Sequence, residues 1–407
     1  MKTHHQDEPL VRSAPPTGIA APVDFSLETV ILMIGGEALV LAGGTLLGAA
    51  SGAFPFAESG LRGLLIFIFA LQALTLGKTP FGATRRSSGM IGLWMAVASM
   101  GIVAGMIPDV LDPLPRGLLG LCFAGGGGAQ LVSLVLDGER RALWKREGGP
   151  LRPLTPLCAT VYALSIPVGL ALGGVFSPPG AGTAVLLSLL GGALLLLAAV
   201  LEAVYRRYPE ARRAVETSEP LSFSHTMILV TGVFMVLLGI LLVPVVLGAL
   251  PFSPSAQLGL LLLIMALRTM AAGETPLGTF PRTRPVVAAG LLFSMLGTFS
   301  CLVPEVLVAP LVVLVGGLNV AGGALPLLRR GPSPEHPLAR RLAKTQDILN
   351  VLAILFGLSM LFPGIISGLV TGVLLAANGG VLLYLLHLLR QLEALRASLE
   401  SSEGRAP

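Results

Sequence analysis

GLLIFIFALQALTLGKTPFG (residues 63–82) and GLLLLIMALRTMAAGETPLG (residues 259–278) share ten of twenty residues at a constant offset of 196. Each is an apolar run closed by Gly-x-Thr-Pro-x-Gly. Hydrophobic bias produces apolar runs anywhere in such a chain, but it does not reproduce Thr-Pro-x-Gly in register. Working outward, Ala53-Phe54-Pro55-Phe56 returns as Ala249-Leu250-Pro251-Phe252, and Pro108-Asp109-Val110-Leu111 returns as Pro304-Glu305-Val306-Leu307. No gap is needed from about residue 25 to 130. The chain is an internal duplication.

The repeated unit belongs in a membrane. Of 407 residues, 54% are hydrophobic and 12% charged, and mean hydropathy is +0.84. An ordinary soluble domain is about 25% charged, so this composition excludes most soluble enzyme classes. Crossing a bilayer takes about 20 apolar residues. Twelve such runs lie near 27–50, 61–77, 89–107, 116–136, 155–176, 181–204, 226–249, 257–272, 286–303, 305–327, 347–366 and 367–389. Pro363-Gly364 is the expected break between the last two, since Pro removes a helix donor and Gly loosens the turn. The fold class is therefore all-α: a polytopic membrane bundle of twelve transmembrane helices, arranged as two parallel six-helix repeats. Each repeat reads as three helical hairpins with Pro near the outer turn (Pro55, Pro108 and Pro178, then Pro251, Pro304 and Pro363). An even number of spans per repeat makes the two units parallel.

Of the 27 Lys and Arg residues, 24 fall in the tails and in the loops after even-numbered spans. Only Arg62 and Arg116 lie on the opposite side, and Arg268 sits inside a span. The positive-inside rule then places both termini in the cytoplasm. The pI of 9.4 is a topology signal, with attraction to anionic headgroups as a secondary effect and no nucleic-acid partner implied. The expected organisation is a disordered cytoplasmic tail (1–25), repeat one (26–204), a cytoplasmic linker (205–224), repeat two (225–389) and a second cytoplasmic tail (390–407). The first 25 residues lack an apolar h-region, so the first span is expected to be the insertion signal. The inner loops 137–153, 205–224 and 329–345 read as connectors.

Polar residues inside spans are the candidate site. Glu37 lies midway along the first helix, where an ionised carboxylate is expensive and is expected to be protonated or paired. Two readings follow: a proton or cation site, or a neutral Glu hydrogen-bonded to a neighbouring helix. Its repeat counterpart is Val233. Arg268, aligned with Gln72, is close enough to the cytoplasmic end of its span to snorkel, with a buried anion or carboxylate partner as the alternative. Gln130, Asn319 and Asn378 read as mid-span amides that hydrogen-bond between helices or line a pore. Gly44, Gly48 and Gly52, Gly101 and Gly105, and Gly364, Gly368 and Gly372 have the spacing of close helix contacts. The run Gly125 to Gly128 admits a broken helix near a binding site as well as very close packing.

No chemistry of an enzyme is apparent. Lys78-Thr79 follows Gly77 as in a P-loop, but Gln72 stands where the first Gly belongs. HExxH and GxSxG are absent. Cys122, Cys158 and Cys301 form neither a disulfide framework nor a metal spacing, and His4-His5 is a weak metal signal in a tail. The expectation is no cofactor, no metal, no catalytic residue and no identifiable protein partner beyond the lipid bilayer.

The hairpin layout resembles the HdeD-type acid-resistance membrane proteins. The residues that carry the resemblance are Leu237-Leu238-Gly239-Ile240 with Pro251, Ala289-Gly290-Leu291-Leu292 with Pro304-Glu305, and Leu355-Phe356-Gly357 with Pro363. The C-terminal half follows the layout best, and the N-terminal half follows through the duplication. The resemblance implies a bacterial inner-membrane protein tied to acid or envelope stress, and it carries no catalytic residues. The rival is a secondary transporter of a small solute, since six plus six parallel spans is also the major-facilitator layout. Against it, residues 77–89 lack a Gly-x-x-x-Asp-x-x-Gly-Arg-Arg loop, and polar groups in the spans are few. A charge-lined cavity favours transport, and a glycine-packed solid bundle favours the first reading.

Overall fold

A computed structural model of the chain describes residues 25–83, 87–178, 181–210, 222–329 and 336–403. The expected disordered tail lies outside these residues except for Phe25. The expected linker is described only to residue 210 and again from 222. Thirteen helices are present among the described residues: α1 Leu27–Ala50, α2 Glu58–Leu76, α3 Ser88–Met106, α4 Leu114–Leu136, α5 Gly138–Glu147, α6 Leu154–Leu172, α7 Gly182–Arg207, α8 Phe223–Val246, α9 Pro254–Ala272, α10 Arg284–Leu302, α11 Val308–Leu328, α12 Pro337–Leu361 and α13 Gly368–Glu403. All except α5 are long and apolar enough to cross a membrane, which makes twelve spans among the described residues.

The duplication is visible in backbone detail. Helices α1, α2 and α3 match α8, α9 and α10 in length and in position at the 196-residue offset. Ser26 caps α1 and Ser222 caps α8, each accepting the amide three residues on. Gly77 and Gly273 end α2 and α9 in the left-handed region, at φ 63 and 69. Each is followed by a miniature antiparallel hairpin: β1 Lys78–Thr79 with β2 Gly82–Ala83, and β3 Glu274–Thr275 with β4 Gly278–Thr279. In both, the threonine hydroxyl donates to the carbonyl of the second glycine, at 2.8 and 2.9 Å. Thr-Pro-x-Gly is thus the sequence of a turn. Even the strained positions recur: Asp109 and Glu305 both adopt positive φ, 65 and 71, where a side chain is disfavoured.

Packing explains which helices touch. The most extensive contacts in the first half are α1 with α7, α2 with α3, and α4 with α6; in the second they are α8 with α13, α9 with α10, and α11 with α12. Helices joined by the Pro-containing outer turns, such as α1 and α2, touch far less. The tight seams are built from glycine. A Cβ on Gly36 would lie 2.9 Å from the Gly191 carbonyl on α7, and one on Gly63 would lie 2.5 Å from the Gly105 backbone on α3. The Gly44, Gly48 and Gly52 series is not such a seam: Gly44 and Gly52 meet nothing, and Gly48 meets only Phe54. Phase decides this, because Gly36 and Gly43, seven apart, share the α7 face. Gly101 and Gly105 pack against α2 as expected, and Gly372 against the Gly239 carbonyl of α8, whereas Gly368 meets only the Val246 side chain and Gly364 meets nothing. Of the four-glycine run, Gly126 lies on Pro80 and Gly127 on α6, so close packing accounts for these two, whereas Gly125 has only ordinary contacts and Gly128 meets nothing. Helix α4 passes through a π turn at Leu121–Gly125 without breaking.

The halves meet around α2 and α9. These are the most enclosed spans, 78% and 72% buried against 22–56% for the others. One continuous core draws on both, from Leu64 and Phe67 to Leu262 and Ile264. At the ends opposite β1–β2 and β3–β4, the Ala57 amide donates to the Leu302 carbonyl and the Ser253 amide to the Met106 carbonyl, both at 2.8 Å. Each of these bonds maps onto the other at the repeat offset, as a pseudo-twofold axis requires. Outward-facing Val185, Leu189, Leu196, Leu292 and Val313 are exposed apolar side chains suited to lipid contact.

Two of the connectors and the C-terminal tail carry helix. The loop 137–153 contains α5, in which an exposed Leu143 stands among Glu139, Arg141, Lys145 and Arg146 along the helix. The loop 329–345 turns helical at Pro337, a residue suited to a first helical position. The last helix continues past 389 to Glu403, because Leu-, Glu-, Arg- and Ala-rich sequence remains helix-forming beyond its apolar stretch.

Candidate functional site

Glu37 is enclosed on α1, at 8% exposure, and turned into the bundle. Across the junction between halves, Ser294 on α10 presents its hydroxyl to the carboxylate, yet no hydrogen bond of ordinary geometry closes. Both Glu37 carboxyl oxygens, the Ser294 Oγ and the Thr298 Oγ1 one turn further along α10 are buried without a hydrogen-bond partner among the described residues. Ser294 is thus the neighbouring-helix group that a structural Glu calls for, set at a geometry short of an ordinary hydrogen bond. An unsatisfied buried polar group costs about 1–3 kcal/mol.

The other five sequence candidates lie elsewhere, and none hydrogen-bonds to Glu37. Arg268 has a carboxylate partner: its Nε and one terminal nitrogen donate to Glu274 at 3.1 and 2.8 Å. The glycine cap at Gly273 turns the chain back so that Glu274 reaches the last turn of its own helix. Gln72, the repeat counterpart of Arg268, is half-buried on α2. Gln130 sits near Gly82 of the β1–β2 turn, away from mid-span. Asn319 donates to the Val315 carbonyl of its own helix at 2.8 Å, so it bridges no helices through that bond. Asn378 is buried on α13.

Two ionic clusters also belong to the first half. At the turn end, the buried Arg62 pairs with Glu58 and, at 3.1 Å, with Asp112, which also holds Arg116 at 2.8 Å. A cavity of about 10 Å³ beside Ser59, Arg62, Asp109 and Asp112 has room for a water molecule and no more. At the opposite end, Glu28 receives Lys78 at 2.5 Å and the Tyr205 hydroxyl at 2.7 Å, tying α1 to the β1–β2 turn and to α7. Among the described residues no group of three or more His, Cys, Asp or Glu is placed to hold a metal ion.

Ser294 and Thr298 escape a reading of the sequence because isolated hydroxyls in apolar helices usually bond their own backbone, as Thr45 and Ser99 do here. The duplication held a usable signal: their counterparts are Ala98 and Ile102, just as that of Glu37 is Val233. All three positions are polar in one copy and apolar in the other. Compared with known proteins, the chain matches no family model, no curated protein and no solved structure.

Proposed function

We propose that this integral membrane protein is a non-enzymatic, HdeD-like helix bundle of the bacterial cytoplasmic membrane, with both termini in the cytoplasm and a role in acid or envelope stress. The observation that carries this reading is the glycine-to-backbone seam that closes helix pairs in both halves, Gly63 on Gly105 in one and Gly259 on Gly297 in the other. Such seams suit a permanently packed bundle better than a solute channel. The basic residues of α5 add an attraction to anionic headgroups, worth roughly 1 kcal/mol per Lys or Arg near a charged surface. The test is survival of an acid challenge by cells with and without the chain. Deletion is expected to lower survival, with restoration by the intact gene, and unchanged survival overturns the reading.

One observation favours a second reading, a secondary transporter. Two parallel six-helix units meet through a pseudo-twofold junction, with an unpartnered carboxyl within it. Proteoliposomes that accumulate a small solute under an imposed pH gradient would support that alternative, and solute-independent behaviour would remove it.

A further inference from the structure

We propose that Glu37 and Ser294, with the unpartnered Thr298 hydroxyl one turn further along α10, form a proton-binding site at the junction of the two halves, on whichever of the two readings the protein works. The argument begins from an internal control. The α1–α10 contact and the α3–α8 contact are equivalent under the duplication. In the second, the corresponding residues are Val233, Ala98 and Ile102, with both α3 residues almost wholly buried. At these three positions the smaller α3–α8 contact therefore forms without polar groups. The first copy nevertheless buries a carboxyl and two hydroxyls, none of them hydrogen-bonded among the described residues.

The surroundings select the ligand. A desolvated metal cation needs a shell of oxygen ligands, which membrane proteins commonly supply from unwound helices. Here α1 and α10 run unbroken past the site, with no internal proline and their carbonyls engaged in the helix. One carboxyl and two hydroxyls do not make such a shell. A proton needs less. A hydroxyl can accept from a protonated carboxyl and, by rotating, donate to an ionised one. Ser294 faces the carboxyl and so can serve both forms.

No other charge competes at the site. On the elements packed against α1, Glu58 and Arg62 (α2), Glu202, Tyr205, Arg206 and Arg207 (α7), Arg268 (α9) and Arg284 (α10) all lie toward helix ends, and the buried Cys301 thiol lies two turns beyond Ser294 on α10. Arg62, Glu202, Tyr205, Arg206 and Arg268 have partners of their own there. Loss of the proton would leave one uncompensated negative charge between the halves. Release is therefore linked to a separation of α1 from α10 that admits water.

The experiment is infrared spectroscopy of the full-length protein in lipid vesicles over a range of pH, with Glu37→Gln for assignment. The expected result is a protonated-carboxyl carbonyl band that is present in wild type, absent from the Gln variant and progressively lost as pH rises. High sodium or potassium at fixed pH should leave it unchanged. Glu37→Asp keeps a carboxyl, so its band should persist at a displaced frequency and still titrate, which secures the assignment if Gln disturbs the fold. Ser294→Ala should shift the pH midpoint. The proposal is overturned by a Glu37 that is ionised throughout, by a band that never titrates, by its removal with sodium at constant pH, or by a midpoint indifferent to Ser294.

Discussion

At Gly63 the added Cβ would meet only backbone, the Gly105 amide and Cα and the Gly101 carbonyl, all within 2.6 Å. None of those atoms can swing aside as a side chain can. Gly63→Ala is expected to destabilise the protein by about 1–3 kcal/mol, the usual cost of overpacking. Gly44→Ala is the contrast, because nothing lies within 4 Å of its Cβ position. There the better helix propensity of alanine should give a neutral change or a gain of up to about 1 kcal/mol. Thermal unfolding of the two variants in detergent checks the pair, and equal destabilisation would refute the seam. Both glycines stand in apolar helices, and only the facing helix separates them. Glu37 illustrates the same limit: its depth in the span was readable, whereas Ser294 as its neighbour depends on α10 lying across α1.

Elements are joined by contacts that one half has and the other lacks. Arg62 and Asp112 fasten the start of α2 to the α3–α4 turn. Their counterparts at the repeat offset, Leu258 and Val308, are uncharged. Asp112→Val alone should cost roughly 2 kcal/mol, since it removes a partner from a buried guanidinium. The double variant Arg62→Leu with Asp112→Val recreates the apolar arrangement of the second half and should recover much of that loss. The exposed Glu58 and Arg116 left behind contribute little. A double-mutant cycle of melting temperatures reads the coupling, and additive losses would show that the second half is no guide to the first. Helix α5 marks a limit at this scale: its ten residues are too charged to register as a span, and only the structure reveals a helix between α4 and α6.

Across the whole molecule, topology is the testable property. Reporter fusions after Lys145, within α5, and after Glu210 are expected to report cytoplasm, and one after Ala53 the opposite side. A periplasmic signal at Lys145 would overturn the orientation drawn from the basic residues. The twelve spans and the repeat were legible in the sequence, because span length and desolvation are set by the bilayer and act on each segment locally. The Thr-Pro-x-Gly and Pro-acid-Val-Leu signatures were legible because they encode turns, and turns are made by neighbouring residues. The partners of each helix were not legible. Connectivity suggests hairpins about the outer turns, yet α1 lies along α7 and α8 along α13. The unpartnered state of Glu37 was likewise decided by the fold. A helix presents several faces, and which one meets another helix depends on the shape of every seam at once. The sequence therefore determined the spans and their repetition, and tertiary packing alone brought Ser294 of one half to Glu37 of the other.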